Sequence, residues 1–391
     1  MGKALTQQRG AEVGDAARWP RVRLGDVCEG KIDRIKALLP ESTISYIDIG
    51  SVNRENKKIL STTSYPIAHA PGRAQQLVRV GDLLVSTVRP NLNAVALVEQ
   101  GACQHLVAST GFCVVRPKSE LDSRFIYYFS QTNAFIDPLV TVSEKASYPS
   151  VTDAIVRDLL IPLPPLPVQR EIVARLEREL GAADKLAKKF EELESAAEAE
   201  FKAELKETFE GAENKIQLAE LEDSGRVVMG RGKIISKKDI AAHPGGYPVY
   251  SSSATGNGEI GRYGLYMFED ERITWSIDGG GRLYCRSAHR YSVTNVCGWL
   301  QVKDSAIEIR YLYYALTDAW SRIDFNYTHK AHPSVIRKEY FVAIPTLSAQ
   351  RETVARLDAA KAKKEKLVAA ARRGRETAAL MRKAILKEAF E

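Results

Sequence analysis

The segment QREIVARL at residues 169–176 returns as QRETVARL at residues 350–357, 181 positions later. The same shift carries the match without a gap from Gln169–Glu210 onto Gln350–Glu391. Lys185-Leu186 returns as Lys366-Leu367, and KAELKETFE (202–210) as KAILKEAFE (383–391). A shared bias towards Ala, Glu and Lys would scatter identities along the segment, whereas these bunch at both ends of one register. An internal repeat of this kind sets the architecture before any local pattern does.

The repeat divides the chain into a tail (1–19), a mixed region (20–160), a helix (161–210), a second mixed region (211–343) and a second helix (344–391). The mixed regions echo one another in order: VRLGD (22–26) and IQLAE (216–220), RFIYYF (124–129) and RYLYYA (310–315), YPSV (148–151) and HPSV (332–335), IPLPPLP (161–167) and IPTL (344–347). Each reads as an α/β (α+β) globule. GDLLVSTV (81–88) and ERITWSI (271–277) are β-rich runs bounded by turn residues. RFIYYFSQTNAF (124–135) and RYLYYALTDAW (310–320) have helical apolar spacing. Pro162, Pro164, Pro165 and Pro167 give a stiff lead into the first long helix. Pro345 precedes the second, with Ser348 as the expected N-cap.

A helix of about 42 residues would run about 63 Å. Ile172, Leu176, Leu180, Ala183, Ala187, Phe190, Leu193, Ala197 and Phe201 recur at three- and four-residue steps, a stripe that needs a partner helix. Charge selects one. Residues 161–210 carry 8 Lys/Arg against 12 Asp/Glu, and residues 344–391 carry 12 against 6. Opposite signs favour the two helices pairing with each other. The expected fold is two globules alternating with two long helices that pair as an antiparallel coiled coil, a pseudo-two-fold repeat with a head at each end of a spacer. The residues expected to serve the helix pair and its partners are Gln169, Arg170, Leu176, Phe190, Leu193, Gln350, Arg351, Leu357 and Leu367.

The chain has no apolar run near the roughly 18 residues of a membrane span, and its first 20 residues are too polar for a signal peptide. MGKALT fits the short myristoylation pattern, which arises often by accident. The five cysteines form no C-x-x-C pair, which fits a reducing cytoplasm better than a disulfide framework. The formal charge of +7 allows an anionic partner without demanding one.

Catalytic signatures are scarce. GNGEIG (256–261) fits G-x-G-x-x-G, but strand-and-turn residues flank it where a dinucleotide site needs a following helix. No phosphate-binding G-x-x-x-x-G-K-[ST] and no methyltransferase N-P-P-[YF] occurs. His329 and His332 lack metal-site companions, so no metal is expected. What remains is a set of polar loops with residue types suited to DNA: Arg for guanine, Asn for adenine, Lys and Ser for phosphate. In the first globule these are Arg89, Asn91, Asn93, Lys145, Ser147 and Tyr148. In the second they are Ser252, Ser253, Thr255, Asn257, Asp278, Arg282, Arg286, Asn326, Tyr327, Lys330 and His332. The bland reading is that any surface loop holds such residues.

Taken together, IPLPPLPVQREIVARL, IPTLSAQRETVARL, YPVYSSSATGNGEIG, ITWSIDGGG and TNVCG resemble the DNA-specificity subunit of type I restriction–modification systems, over about residues 20–391. The resemblance implies that each globule is a target-recognition domain reading one half of a bipartite, asymmetric DNA site. It implies that the helices set the unread gap. It also implies two methyltransferase subunits carrying S-adenosylmethionine, and a restriction/translocase subunit using ATP and Mg. The chain itself would be non-catalytic, bind no cofactor and work in the cytoplasm. Each globule carries only +2, so phosphate contacts made by this chain alone should be modest. Rival readings are the specificity partner of a type IIB-like enzyme, a two-headed coiled-coil protein adaptor, and an enzyme with a site around Asp278 and His332.

Overall fold

The computed structural model describes residues 19–99, 105–144, 149–252, 256–278, 282–323, 325 and 329–390. The chain forms two compact units, one of residues up to Lys189 with those from Gly374 onward, the other Phe190–Arg373. Each holds one mixed region, the start of one long helix and the end of the other.

In the first unit the order is β1 (Arg21–Arg23), β2 (Thr43–Ile47), β3 (Thr63–Pro66), β4 (Ala74–Val78), β5 (Leu83–Ser86), β6 (Val95–Leu97), β7 (Leu106–Ser109) and β8 (Phe112–Val115). Then come α1 (Ser123–Phe129), α2 (Asn133–Ser143), α3 (Asp153–Arg157), β9 (Leu160–Pro162) and the long α4 (Leu166–Glu210). The sheets run β3-β2-β7-β4, β6-β5-β8 and β1-β9. Strands LLVS, LVAS and FCVV are buried along their whole length, as short unbroken apolar runs must be.

The second unit has β10 (Ile216–Gln217), α5 (Leu218–Asp223), β11 (Val227–Arg231), α6 (Lys237–Ala242), β12 (Tyr247–Tyr250), β13 (Glu259–Tyr263), β14 (Arg272–Ser276), β15 (Leu283–Arg286), β16 (Ser292–Val293) and β17 (Cys297–Val302). It closes with α7 (Ile309–Trp320), α8 (Pro333–Glu339), β18 (Phe341–Val342) and the long α9 (Leu347–Phe390). Its sheets run β13-β12-β16, β11-β17-β14-β15 and β10-β18. The topology repeats that of the first unit. β2 pairs antiparallel with β3 and parallel with β7, as β12 does with β13 and β16. β5 lies between β6 and β8 as β14 lies between β15 and β17. Among the described residues the sheets differ by one added strand in each unit, β4 beside β7 and β11 beside β17.

The sequence predicts one helix over 124–135, and the structure breaks it. Ser130 and Thr132 turn their hydroxyls onto the carbonyls of Tyr127 and Phe129, offering the backbone an alternative to continued helix. The matching stretch of the second unit stays helical as α7. Ser348 lies inside α9, and the cap is Thr346, whose hydroxyl accepts from the Ala349 N–H. Pro167 is the second residue of α4, where a missing N–H costs nothing.

Each long helix is bolted to its own globule by the same joint. Gln169 and Gln350 are fully buried. Gln169 Nε2 donates to the carbonyls of Glu120 (2.9 Å) and Pro164 (2.8 Å), and its Oε1 accepts from Asp122 N–H (2.8 Å). Gln350 does the same with Ala306 (2.9 Å), Pro345 (2.8 Å) and Glu308 N–H (2.8 Å). About two turns on, Arg124 pairs with Glu177 and Arg310 with Asp358. The far end of the other helix closes each core: Phe390 meets Phe125 edge-on at 5.4 Å, and Phe209 meets Tyr311 at 5.6 Å. The repeated octapeptide is therefore the helix half of a joint.

Within each unit the helices run antiparallel. Asp184 meets Arg382 at 2.6 Å in the first. In the second, Glu194, Glu200 and Glu204 meet Arg372, Lys363 and Arg356 at 3.1, 2.7 and 3.3 Å. Acids on α4 face bases on α9, as the net charges predict. Exposed pairs of this kind contribute about 0–1 kcal/mol each, so they select register and partner more than they hold the fold. Among the described residues no helix is long and apolar enough to cross a membrane, and Cys28, Cys113, Cys285 and Cys297 are free thiols.

Candidate nucleic-acid interface

Three loops in each unit are tied together by hydrogen bonds. In the first unit they are the described residues 48–62 after β2, 87–94 after β5, and 144 and 149–152 between α2 and α3. In the second they are the described residues 251–252 and 256–258 after β12, 277–278 and 282 after β14, and 321–323, 325 and 329–332 after α7. The loops hold equivalent places in the repeated topology while their sequences differ.

In the first unit the Arg89 N–H donates to the Pro149 carbonyl (2.8 Å) and the Val151 N–H to Thr87 (2.9 Å), joining second and third loops. Pro90–Leu92 form a single tight turn flanked by Arg89 at φ 49° and Asn93 at φ 43°. Left-handed backbone is rare for residues with a side chain, and strain of this kind collects where a loop must hold one shape. Arg89 and Asn91 are exposed and Asn93 is half-buried. Lys145, Ser147 and Tyr148 lie outside the described residues.

The first loop of this unit is the part that the sequence reading missed. Asn53 closes a turn by accepting from the N–H groups of Glu55 and Asn56. Lys57, at φ 59°, then sends its ammonium inward to the Asn93 carbonyl at 2.6 Å. Tyr127 on α1 donates to the Lys57 carbonyl. Burial pushes the Lys57 ammonium down to about 8, with the cation of Arg382 adding to the effect. The run VNRENKK between two strands was the available signal, an unusually polar stretch for a simple β connection.

In the second unit the loop GNGEIG turns β12 into β13, with Gly261 inside the second strand. It is a hairpin connection, and no helix opens on it. Gly258 has φ +80°, a conformation that a side chain would strain. Ser252 shares its hydroxyl with Ser276 and reaches the Asp278 carbonyl. Asn257 is exposed and turns its own side chain onto the Glu259 N–H. The Ala331 N–H donates to Ile277, and Lys330 meets Asp278 at 2.8 Å. Arg282 is exposed near the Tyr284 ring. His332 caps α8 by accepting from the Ser334 N–H; burial, then Arg231 and Arg337, lowers its pKa. Ser253, Thr255, Asn326 and Tyr327 lie outside the described residues.

Arg286 differs from its neighbours. It is 8% exposed and lies between the rings of Tyr250 (3.7 Å) and Tyr284 (4.3 Å). Its Nη2 donates to the Asn257 carbonyl at 2.7 Å and its Nε to the Thr274 hydroxyl at 3.2 Å. Tyr284 adds a hydroxyl contact to the Gly256 carbonyl.

Of the residues expected along the helix pair, Gln169 and Gln350 sit in the joints, and Leu176 and Leu357 are buried in the cores of their own globules. Phe190 and Leu367 are half-buried, Arg170 and Arg351 exposed, and Leu193 is 37% exposed. Small residues, Ala183, Ala197, Ala371 and Ala378, fill the buried stripe between them.

The family model for the type I restriction modification DNA specificity domain matches residues 17–194 and 214–370, one match per repeat. A putative type I specificity subunit of Mycoplasma pneumoniae is 43% identical over 88 residues, 22% of this chain and 46% of that protein. The type I restriction enzyme HindI specificity subunit of Haemophilus influenzae is 25% identical over 158 residues, 40% of this chain and 34% of that protein. These stretches span less than half the length of either relative. A solved chain of a type I R-M system, studied for complex assembly and conformational transition, superimposes with a TM-score of 0.76 at 25% identity, covering 95% of this chain and 97% of that one. The HsdS subunit from Thermoanaerobacter tengcongensis does so with a TM-score of 0.53 at 25% identity, over 95% and 96%. The chain belongs to the DNA-specificity subunit family of type I restriction–modification systems.

Proposed function

We propose that each globule reads one half of a bipartite, asymmetric DNA site through its three tied loops. The helix pair sets the unread gap and docks two adenine-methyltransferase subunits. The observation that carries this reading is the pairing of a constant joint with variable loops. The Gln clamp and the Arg–carboxylate pair recur almost atom for atom, while the loops keep their places and change their residues. A fixed mount under two different readers fits two different half-sites at one separation, as fixed half-site spacing does for two-fold readers. Arg89, Asn91 and Arg282 are among the described exposed side chains of types suited to base edges or phosphates.

Methyl transfer belongs to partner subunits holding S-adenosylmethionine, and ATP-driven translocation and cleavage to a further subunit, all in the cytoplasm. Exchanging residues 211–343 for the equivalent globule of another family member, in a complex with the methyltransferase subunits, tests the division of labour. One half of the methylated sequence should change. A change in both halves would contradict independent readers.

A further inference from the structure

The two globules share a device that their loop sequences hide. In each, a side-chain cation, half-buried for Lys57 and buried for Arg286, bridges the first and second loop systems and ends on the main-chain carbonyl of an asparagine. Lys57 comes from the first loop and holds Asn93 of the second at 2.6 Å. Arg286 comes from the strand leaving the second loop and holds Asn257 of the first at 2.7 Å. The direction is reversed and the cation differs, yet the same two loops are locked at the same kind of place. Each receiving carbonyl lies where the chain is left-handed: Asn93 has φ 43°, and Asn257 stands between Gly256 at +63° and Gly258 at +80°.

A cation so placed is poorly suited to contact phosphate. Arg286 is covered on both faces by tyrosine rings, with two of its nitrogens already donating. A charge-assisted bond to a carbonyl is stronger than a neutral one, enough to hold a loop in a conformation it would otherwise leave. We infer that Lys57 and Arg286 are positioning residues for sequence recognition, each fixing the reading loops of its own globule without touching DNA. The inference rests on the proposed function and assigns the part of it that decides selectivity.

The test uses the complex of this chain with its methyltransferase subunits. Lys57→Met and Arg286→Lys are compared with wild type on DNA in which each base of the methylated sequence is varied. Lysine at 286 keeps the buried charge but lacks the rigid planar fork that stacks on Tyr250 and Tyr284 while donating from Nε to Thr274 and from Nη2 to Asn257. Lys57→Met should lower discrimination at the first globule's half-site by roughly tenfold or more, the scale of one well-placed base contact, and leave the other half-site intact. Arg286→Lys should do the reverse. Tyr284→Phe, which removes the hydroxyl on Gly256 without disturbing a charge, carries the second test should Arg286→Lys fail to assemble. Lys57→Arg, which keeps the donor, should keep selectivity.

Salt dependence supplies the readout that separates positioning from phosphate contact. Loss of one phosphate contact lowers the slope of log affinity against log salt by about one and weakens all sequences alike; a positioning residue leaves the slope unchanged. Unchanged discrimination, losses spread over both half-sites, or a reduced slope would each overturn the inference. A wild-type complex that methylates no defined sequence would overturn the proposed function itself, and a clamp failure is read only against a selective wild type.

Discussion

Truncating Gln350 to alanine removes three hydrogen bonds at once. The Ala306 and Pro345 carbonyls and the Glu308 N–H lose their partner at a fully buried site. Each neutral bond contributes about 1 kcal/mol net, and each buried group left unpaired costs about 1–3 kcal/mol. The carbonyls keep a second lone pair for other neighbours, so the lower end applies to them, and the sum is about 3–4 kcal/mol. Gln350→Glu makes a sharper test, because it keeps the volume and sets a carboxylate oxygen against the two carbonyls. At pH 7 it should cost more than alanine. Burial raises the folded carboxyl's pKa above its unfolded value of about 4.3. Stability from the protonated form is then fully present below that unfolded value and is lost as pH rises through the folded one. Urea unfolding followed by far-UV circular dichroism at pH 7 and pH 5 reads both effects. A cost below about 1 kcal/mol for alanine, or a Glu variant no worse than alanine at pH 7 and insensitive to pH, would refute the clamp. Gln169 should behave alike.

Three further outcomes follow from the geometry. Arg116 and Asp82 are both buried and paired at 2.7 Å, so Arg116→Ala should cost about 3–5 kcal/mol in urea unfolding by stranding the carboxylate; a cost under 1 kcal/mol would mean that water reaches it. Lys57 has a folded pKa of about 8 against 10.5 unfolded, so its contribution to stability is least below pH 8 and grows as pH rises towards 10.5; the unfolding midpoint of wild type relative to Lys57→Met should rise across that window, and a flat difference would contradict it. A cavity of about 420 Å³ lies beside Ala315 and Phe209, where the first unit sets Phe129 against Phe390 at 5.4 Å. Ala315→Phe should therefore stabilise by about 1–2 kcal/mol, and a lower melting temperature would show that the repeat does not extend to that slot.

The repeat and the helix pair were readable because they rest on long-range self-similarity and on summed charge, which survive local noise. The joint was not. Gln169 and Gln350 stand in a charged, helical-looking octapeptide and read as part of the helix pair; they are buried in the joints instead because a backbone segment over forty residues away, Glu120–Asp122 or Ala306–Glu308, folds against the helix start. The break between α1 and α2 turned on two hydroxyls, Ser130 and Thr132, whose local bonds outcompeted an apolar pattern that favoured one helix. Among the loops, residue type alone pointed to Arg286 as readily as to Arg282, and only the flanking tyrosines separate a buried clamp from an exposed contact. Lys57 lay in a loop with no motif, and its role depends wholly on where Asn93 comes to rest.

The most direct test of the central claim is a base-resolution map of N6-methyladenine in the native genome, with and without this gene, while its partner genes are expressed. The account predicts that one bipartite motif, two unlike half-sites at a fixed gap, loses methylation when the gene is removed. An unchanged map would contradict it.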